Sequence, residues 1–177
     1  MPSQFYTEFQ EIVQRMGHYL VHIHRQPGLP CPRCLGEGGT GEGREPNPRC
    51  PQCLGLGEIV TIAPQPVMTS PPPRLDYAEE QETEVGILGS ARINYYMQPG
   101  AAPNLRDLLV EVTWSVPPAQ VLRYGQVVTA QKVYEANSIF PYQGVGGELL
   151  FYKLGAHDLH VDLDWLCAQL QRRPTLP

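Results

Sequence analysis

No stretch of this 177-residue chain approaches the roughly 20 consecutive apolar residues that a bilayer-spanning helix needs. The opening MPSQFYTEFQEIVQRM lacks a basic start followed by an apolar block, so it does not read as an export leader. A soluble, unexported protein that makes no use of a membrane is expected. Charge is scarce as well. Only 18% of residues are charged and the formal net is -5, a balance that disfavours non-specific attraction to nucleic acid. Also missing are a G-x-S-x-G elbow and an H-E-x-x-H pair. The glycines of GEGGTGEG neither follow a strand nor open a helix, so they do not read as a phosphate loop. No nucleophile and base are recognisable together, and no enzyme is expected.

What the chain has in excess is punctuation: 19 prolines and 17 glycines, which favour turns, short strands and loops over long helices. Two short runs are near copies, CPRCLGEG from Cys31 and CPQCLGLG from Cys50. Their ligand formula, C-x2-C-x15-C-x2-C, lies within the spacing of zinc ribbons and related structural sites. Each pair can present two sulfurs to one cation, so Cys31, Cys34, Cys50 and Cys53 are the predicted ligands of one structural Zn2+ per chain. Four thiolates leave no open position for a substrate water. Gly36, Gly38, Gly55 and Gly57 supply the freedom to curl the backbone behind the sulfurs. A thioredoxin-like redox pair would sit beside a βαβ pattern that is absent, and a disulfide framework would suit an exported chain. His22 and His24, just upstream, read as ordinary strand histidines, with substitution for a failed cysteine as the alternative.

Phe5, Phe9, Ile12, Val13 and Met16 fall at helical spacing between a capping Ser3 and a terminating Gly17. HYLVHIHR then alternates Tyr19, Val21 and Ile23 against His18, His22 and His24, which predicts a half-buried strand entering the cysteine module. Residues 63–84 bring five prolines and then Asp76, Glu79, Glu80, Glu82 and Glu84, which predict an extended, solvated segment, either a linker or an acidic arm for a basic partner. From Gly86 the pattern is strand and turn: Ile93, Tyr95 and Met97 alternate, as do Leu108, Val110, Val112 and Trp114, and QVVTAQKVYEANSIF and ELLFYKLG follow. DLDWLCAQLQRR predicts a closing helix, with Arg172 and Arg173 at its negative end.

The expected fold is mainly β, a small barrel or sandwich with a four-cysteine zinc module inserted near the N-terminus and short terminal helices. The expected division is an N-terminal helix and strand over 1–30, the zinc module over 31–62, a Pro-rich acidic linker over 63–85, the β domain over 86–160 and the C-terminal helix and tail over 161–177. Cys167 shares a helical face with Leu163, Leu166 and Leu170 and reads as a buried, inert thiol. His157, Asp158, His160, Asp162 and Asp164 are dense enough to suggest ligands or an acid–base pair. A helix cap at Asp162 or Asp164 and two turn histidines explain them more simply.

The doubled C-P-x-C-L-G-x-G resembles the repeats of DnaJ-type chaperone zinc modules, over residues 31–57 only. That family carries four repeats for two zincs, whereas two repeats suffice for one. Over most of the chain, the layout of helix, strand, cysteine module, Pro-rich crossing and β domain resembles the neck proteins of tailed bacteriophages, most specifically in YGQVV, KVYEANSIFP and GGELLFYKLG. That resemblance implies a structural virion protein, made in the host cytoplasm and placed in the neck. It also implies a homo-oligomeric ring between portal or adaptor and tail proteins, with DNA only as the contents of its channel. The alternative is a DnaJ-like chaperone or protein-binding adaptor. A zinc-ribbon nucleic-acid binder is disfavoured because Arg25, Arg33, Arg44 and Arg49 stand against Glu37, Glu42 and Glu45, a net of +1 over residues 24–57.

Overall fold

A computed structural model describes residues 7–8, 11–13, 15, 17–36, 47–70 and 92–173. Six strands, β1 (His18–Pro30), β2 (Glu58–Ser70), β3 (Arg92–Met97), β4 (Leu108–Trp114), β5 (Val127–Gln143) and β6 (Leu149–Asp158), form a closed antiparallel barrel in the order β1-β2-β3-β6-β5-β4. Closure is made by β1 against β4, in the register Val21↔Val110, His22↔Leu109 and Ile23↔Leu108. The described residues between 7 and 15 are helical, and a helix at Leu163–Gln171 stops before Pro174. Gly17 ends the first helix where a side chain would collide with the carbonyl oxygens of Val13 and Val67.

The apolar alternation does not serve one core. It serves two. Leu20, Val67, Tyr95, Met97, Leu109, Tyr134, Ala136, Leu154 and Ala156 fill the barrel interior. There the small partners Ala136 and Ala156, paired across β5 and β6, leave room for the Tyr95 and Tyr134 rings, which meet edge-on at 5.8 Å. Val21, Ile23, Leu108, Val110 and Val133 point outward and are covered by Leu166 and Leu170 of the closing helix and by Leu54 of the cysteine module. The expectation that β1 is half-buried is therefore corrected. Its apolar face is sealed from outside, and Leu20 and His22 of the other face are buried too.

β2 is the second correction. Residues 63–70, read as the start of a solvated linker, continue a barrel strand that pairs with β1 from Val60 to Val67. Pro64 and Pro66 occupy alternate positions, so both can turn their missing N–H to the same edge of the strand. β3 starts pairing with that edge only at Val67. The barrel thus uses strands on both sides of the cysteine module rather than residues 86–160 alone. The acidic residues from Asp76 to Glu84 lie outside the described residues, as do Phe5, Phe9, Met16 and Gly38.

β5 and β6 run past the barrel. β3 pairs with β6 only as far as Tyr152, while the β5–β6 ladder continues through Tyr142↔Phe151 to Gln143↔Leu149. This two-stranded overhang and its tip carry Tyr142 and Val145 exposed, and Phe140 is exposed just before it, where Lys153 still pairs with β3. Tyr142 stacks on Phe151 at 4.7 Å.

Candidate metal centre

The loop between β1 and β2 brings the four predicted cysteines together. Cys31, Cys50 and Cys53 are buried, Cys34 is half-buried, and the four sulfurs lie within 4.8 Å of one another. Cys31 and Cys50 sulfurs are 3.9 Å apart, and those of Cys34 and Cys53 are 3.6 Å apart. No S–S bond joins the four in this structure.

The two repeats reach this arrangement by different backbones. The first makes a π-helical turn over Pro32–Gly36, which holds Cys34. The second curls through three consecutive or near-consecutive left-handed residues, Leu54 at φ 55°, Gly55 at 82° and Gly57 at 77°. Gly55 has no alternative, since a Cβ there would meet the Pro48 carbonyl oxygen at 2.7 Å. The curl aims the Gly57 N–H at the Cys53 sulfur, 3.3 Å away, and Cys31 N–H donates to the Gly57 carbonyl at 2.8 Å, which closes the module's neck.

The sulfurs compete for charge. Burial works against ionisation of Cys50, but N–H groups of Cys53 and Gln52 and two neighbouring thiols outweigh it and bring the Cys50 thiol down to about 7. Burial pushes Cys53 up, and the neighbouring sulfurs carry it to about 12 against the lowering hydrogen bond from Gly57. Cys34 is raised as well, chiefly by burial. One sulfur ionises readily at the expense of the others, whereas a cation at the centre would let all four be thiolates. The cluster is a candidate metal-binding site of closed, four-sulfur type.

The module is bolted to the barrel. Leu54 is buried in the outer cluster with Val21, Ile23, Leu166 and Leu170, and Leu56 packs against the same group. From the far end of the chain, Arg173 donates to the carbonyls of Pro51 at 2.6 Å and Gln52 at 2.9 Å. Its expected role at the negative end of its own helix is replaced by this longer reach. Arg25, itself buried, bonds Glu58 at 3.0 Å and the Leu56 carbonyl at 3.2 Å.

The other candidate residues separate. Asp162 accepts from the Trp165 N–H at 3.0 Å and caps the last helix, as read from sequence. His157, expected in a turn with His160, lies instead near the end of β6, and Asp158, which ends that strand, faces Lys132 at 3.5 Å. His157, Asp158, His160, Asp162 and Asp164 do not converge on a common point among the described residues. Cys167 lies apart from the cluster and, contrary to the expected burial, is only half-buried at the helix edge, with its sulfur 3.6 Å from the Val128 carbonyl. His22 and His24 do not face the cysteines either; they converge instead on Asp107, at 2.8 and 2.9 Å. Sequence gave no sign of this grouping, because Asp107 joins from 83 and 85 residues away. A third polar group lies toward the other end of β1. There Glu111 accepts from His18 at 2.9 Å and from the Tyr95 hydroxyl at 2.8 Å. Burial alone would raise the Glu111 carboxyl, but the bond to His18, the charge of His18 and the bond from Tyr95 hold it below its usual range. No protein-family model matches the chain, and no curated protein matches it by sequence.

Proposed function

We propose that this protein is a structural ring subunit of a tailed-phage neck, a zinc-stapled barrel that joins head to tail around the DNA channel. The observation that carries the proposal is the β5–β6 overhang. A two-stranded arm that leaves its barrel with Tyr142 and Val145 exposed, and with Phe140 exposed at its base, is suited to packing on the next copy of the same chain, as a ring built from head-to-tail contacts requires. One Zn2+ per chain fits the cysteine cluster. Tetrahedral ligands at about 2.3 Å from zinc stand about 3.8 Å apart, and the two measured sulfur pairs at 3.9 and 3.6 Å bracket that value. The staple's role is mechanical: it holds the cysteine-bearing turns firmly against the barrel wall.

Native mass spectrometry of the full chain tests both parts at once. A closed ring of six or more copies with one zinc each is expected. Tyr142→Ser combined with Val145→Ser should dissociate the ring while keeping the zinc. A chain that remains monomeric at every concentration, with or without the arm substitutions, would refute the ring. Cys31→Ser or Cys50→Ser should abolish zinc retention. Full zinc retention in both would refute the staple.

The adaptor alternative has one observation in its favour, an apolar groove on the outside of the barrel lined by Val60, Ile62, Pro64, Trp114 and Leu170. Binding of an unfolded apolar peptide by a monomer, lost on Ile62→Asp, would favour it over the ring.

A further inference from the structure

We propose that His22, His24 and Asp107 form a second metal site, separate from the four cysteines, which takes a divalent ion of the zinc class through two imidazole nitrogens and one carboxylate oxygen. The three groups come from rigid elements. His22 and His24 project from alternate positions of β1, and Asp107 stands immediately before β4, the strand that closes the barrel against β1. Asp107 is fully buried and His22 nearly so. The His24 side chain retains 28% exposure, which leaves an entry path for an ion.

The hydrogen bonding at Asp107 is lopsided. Oδ1 accepts one donor, the Arg25 N–H at 2.8 Å. Oδ2 faces three: the Asn104 N–H at 2.7 Å, His22 Nε2 at 2.8 Å and His24 Nδ1 at 2.9 Å. A carboxylate has about four lone-pair sites over two oxygens, so Oδ2 is asked to serve one donor more than its share. A cation removes the excess. Both imidazoles then turn lone pairs to the ion instead of protons to the oxygen, and Asn104 alone still donates to Oδ2. The two backbone N–H groups become the outer contacts that orient a ligand carboxylate.

Geometry permits the exchange. Ligand atoms about 2.1 Å from a divalent ion stand about 3.0 Å apart along an octahedral edge and about 3.4 Å apart in a tetrahedron. The present separations of 2.8 and 2.9 Å need to open by a few tenths of an ångström, which side-chain torsions can supply. The two rings already approach at 63°, with centroids 5.5 Å apart, so their nitrogens can aim at a shared point without stacking. Two imidazoles and a carboxylate suit zinc, cobalt, nickel or iron better than the hard cations calcium and magnesium, and three protein ligands leave positions for water.

The test is a zinc titration of the reduced, metal-free full-length chain, counting equivalents by calorimetry and bound metal by mass spectrometry. Two equivalents per chain are expected. His24→Gln and Asp107→Asn should each keep the cysteine-bound equivalent and weaken the other by more than about 100-fold. Should Asp107→Asn fail to fold, the partly exposed His24→Gln and the imidazole resonances of the unsubstituted protein decide. Addition of the second zinc equivalent should shift the His22 and His24 ring nitrogens and leave those of His157 and His160 unmoved. A chain that takes only the cysteine-bound equivalent, up to 100-fold excess metal, would overturn the site. So would a second equivalent that survives His24→Gln. Failure of the cysteine equivalent alone would count against the staple and leave this test intact.

Discussion

Leu54 offers the sharpest test of how the cysteine module is joined to the barrel, because it combines a costly backbone with a buried side chain. Its φ of 55° places a residue with a Cβ in the left-handed region, which costs about 1–2 kcal/mol. Its side chain, 7% exposed, fills the outer cluster beside Leu166 and Leu170 and contributes about 2–3 kcal/mol. Leu54→Ala deletes the burial and keeps most of the backbone strain, so about 2–3 kcal/mol of stability should be lost. Leu54→Gly deletes the same burial but relieves the strain, which offsets the roughly 0.5–1 kcal/mol of extra chain entropy that glycine brings. Glycine should therefore equal or outperform alanine here, the reverse of the usual order. Urea unfolding of the zinc-loaded protein, followed through Trp165 in the same cluster, measures both variants. If glycine is worse than alanine by about 1 kcal/mol, Leu54 is not strained. If both variants are neutral, the side chain does not anchor the module.

Three further outcomes follow from the same contacts. The folded carboxyl of Glu111 sits below its unfolded value, so its contribution is fully present above the unfolded range near 4.3 and is lost as pH falls through the folded value. Urea midpoints of Glu111→Gln should consequently change less between pH 6 and pH 3 than those of the unsubstituted chain, and an equal change would refute this. Gly55→Ala places a Cβ against the Pro48 carbonyl at a φ of 82° and should weaken zinc retention against a competing chelator, by about 1–3 kcal/mol; unchanged retention would show that the curl can relax. Arg173→Ala removes two hydrogen bonds to the second knuckle, each worth about 0.5–1.5 kcal/mol, and should speed amide exchange at Gln52 and Cys53 while sparing the barrel interior.

Much of this architecture is legible in the chain, in proportion to how local its causes are. The cysteine spacing identifies its four residues because each pair is near in sequence, and the alternation of Tyr95 with Met97 and of Val110 with Trp114 marks strands that run through a barrel wall. The same alternation does not tell inside from outside. Ile93, Tyr95 and Met97 point inward and Leu108, Val110, Val112 and Trp114 outward, a choice made by the closing helix and the module, which cover one wall from without. β2 escapes a local reading because Pro64 and Pro66 are admissible only where a strand edge lacks a partner, and that depends on where β3 begins. The convergence of His22, His24 and Asp107 escapes for a similar reason. It is a product of barrel closure, and no window along the chain contains it.

The position of the cysteine cluster also bears on how quickly the barrel forms. β1 ends at Pro30 and β2 begins at Glu58, yet the two strands pair directly, so their meeting requires closing a 27-residue excursion. Once a cation gathers Cys31 and Cys53, that excursion shortens to about six residues, Cys31 and Cys53 to Gly57. The cost of loop closure then falls by about 1.3 kcal/mol, on the order of 10-fold in rate if the β1–β2 pairing forms before the barrier. Metal supply would then act on the chain during its folding as well as after it, bringing the long β1–β2 connection closer to that of a hairpin.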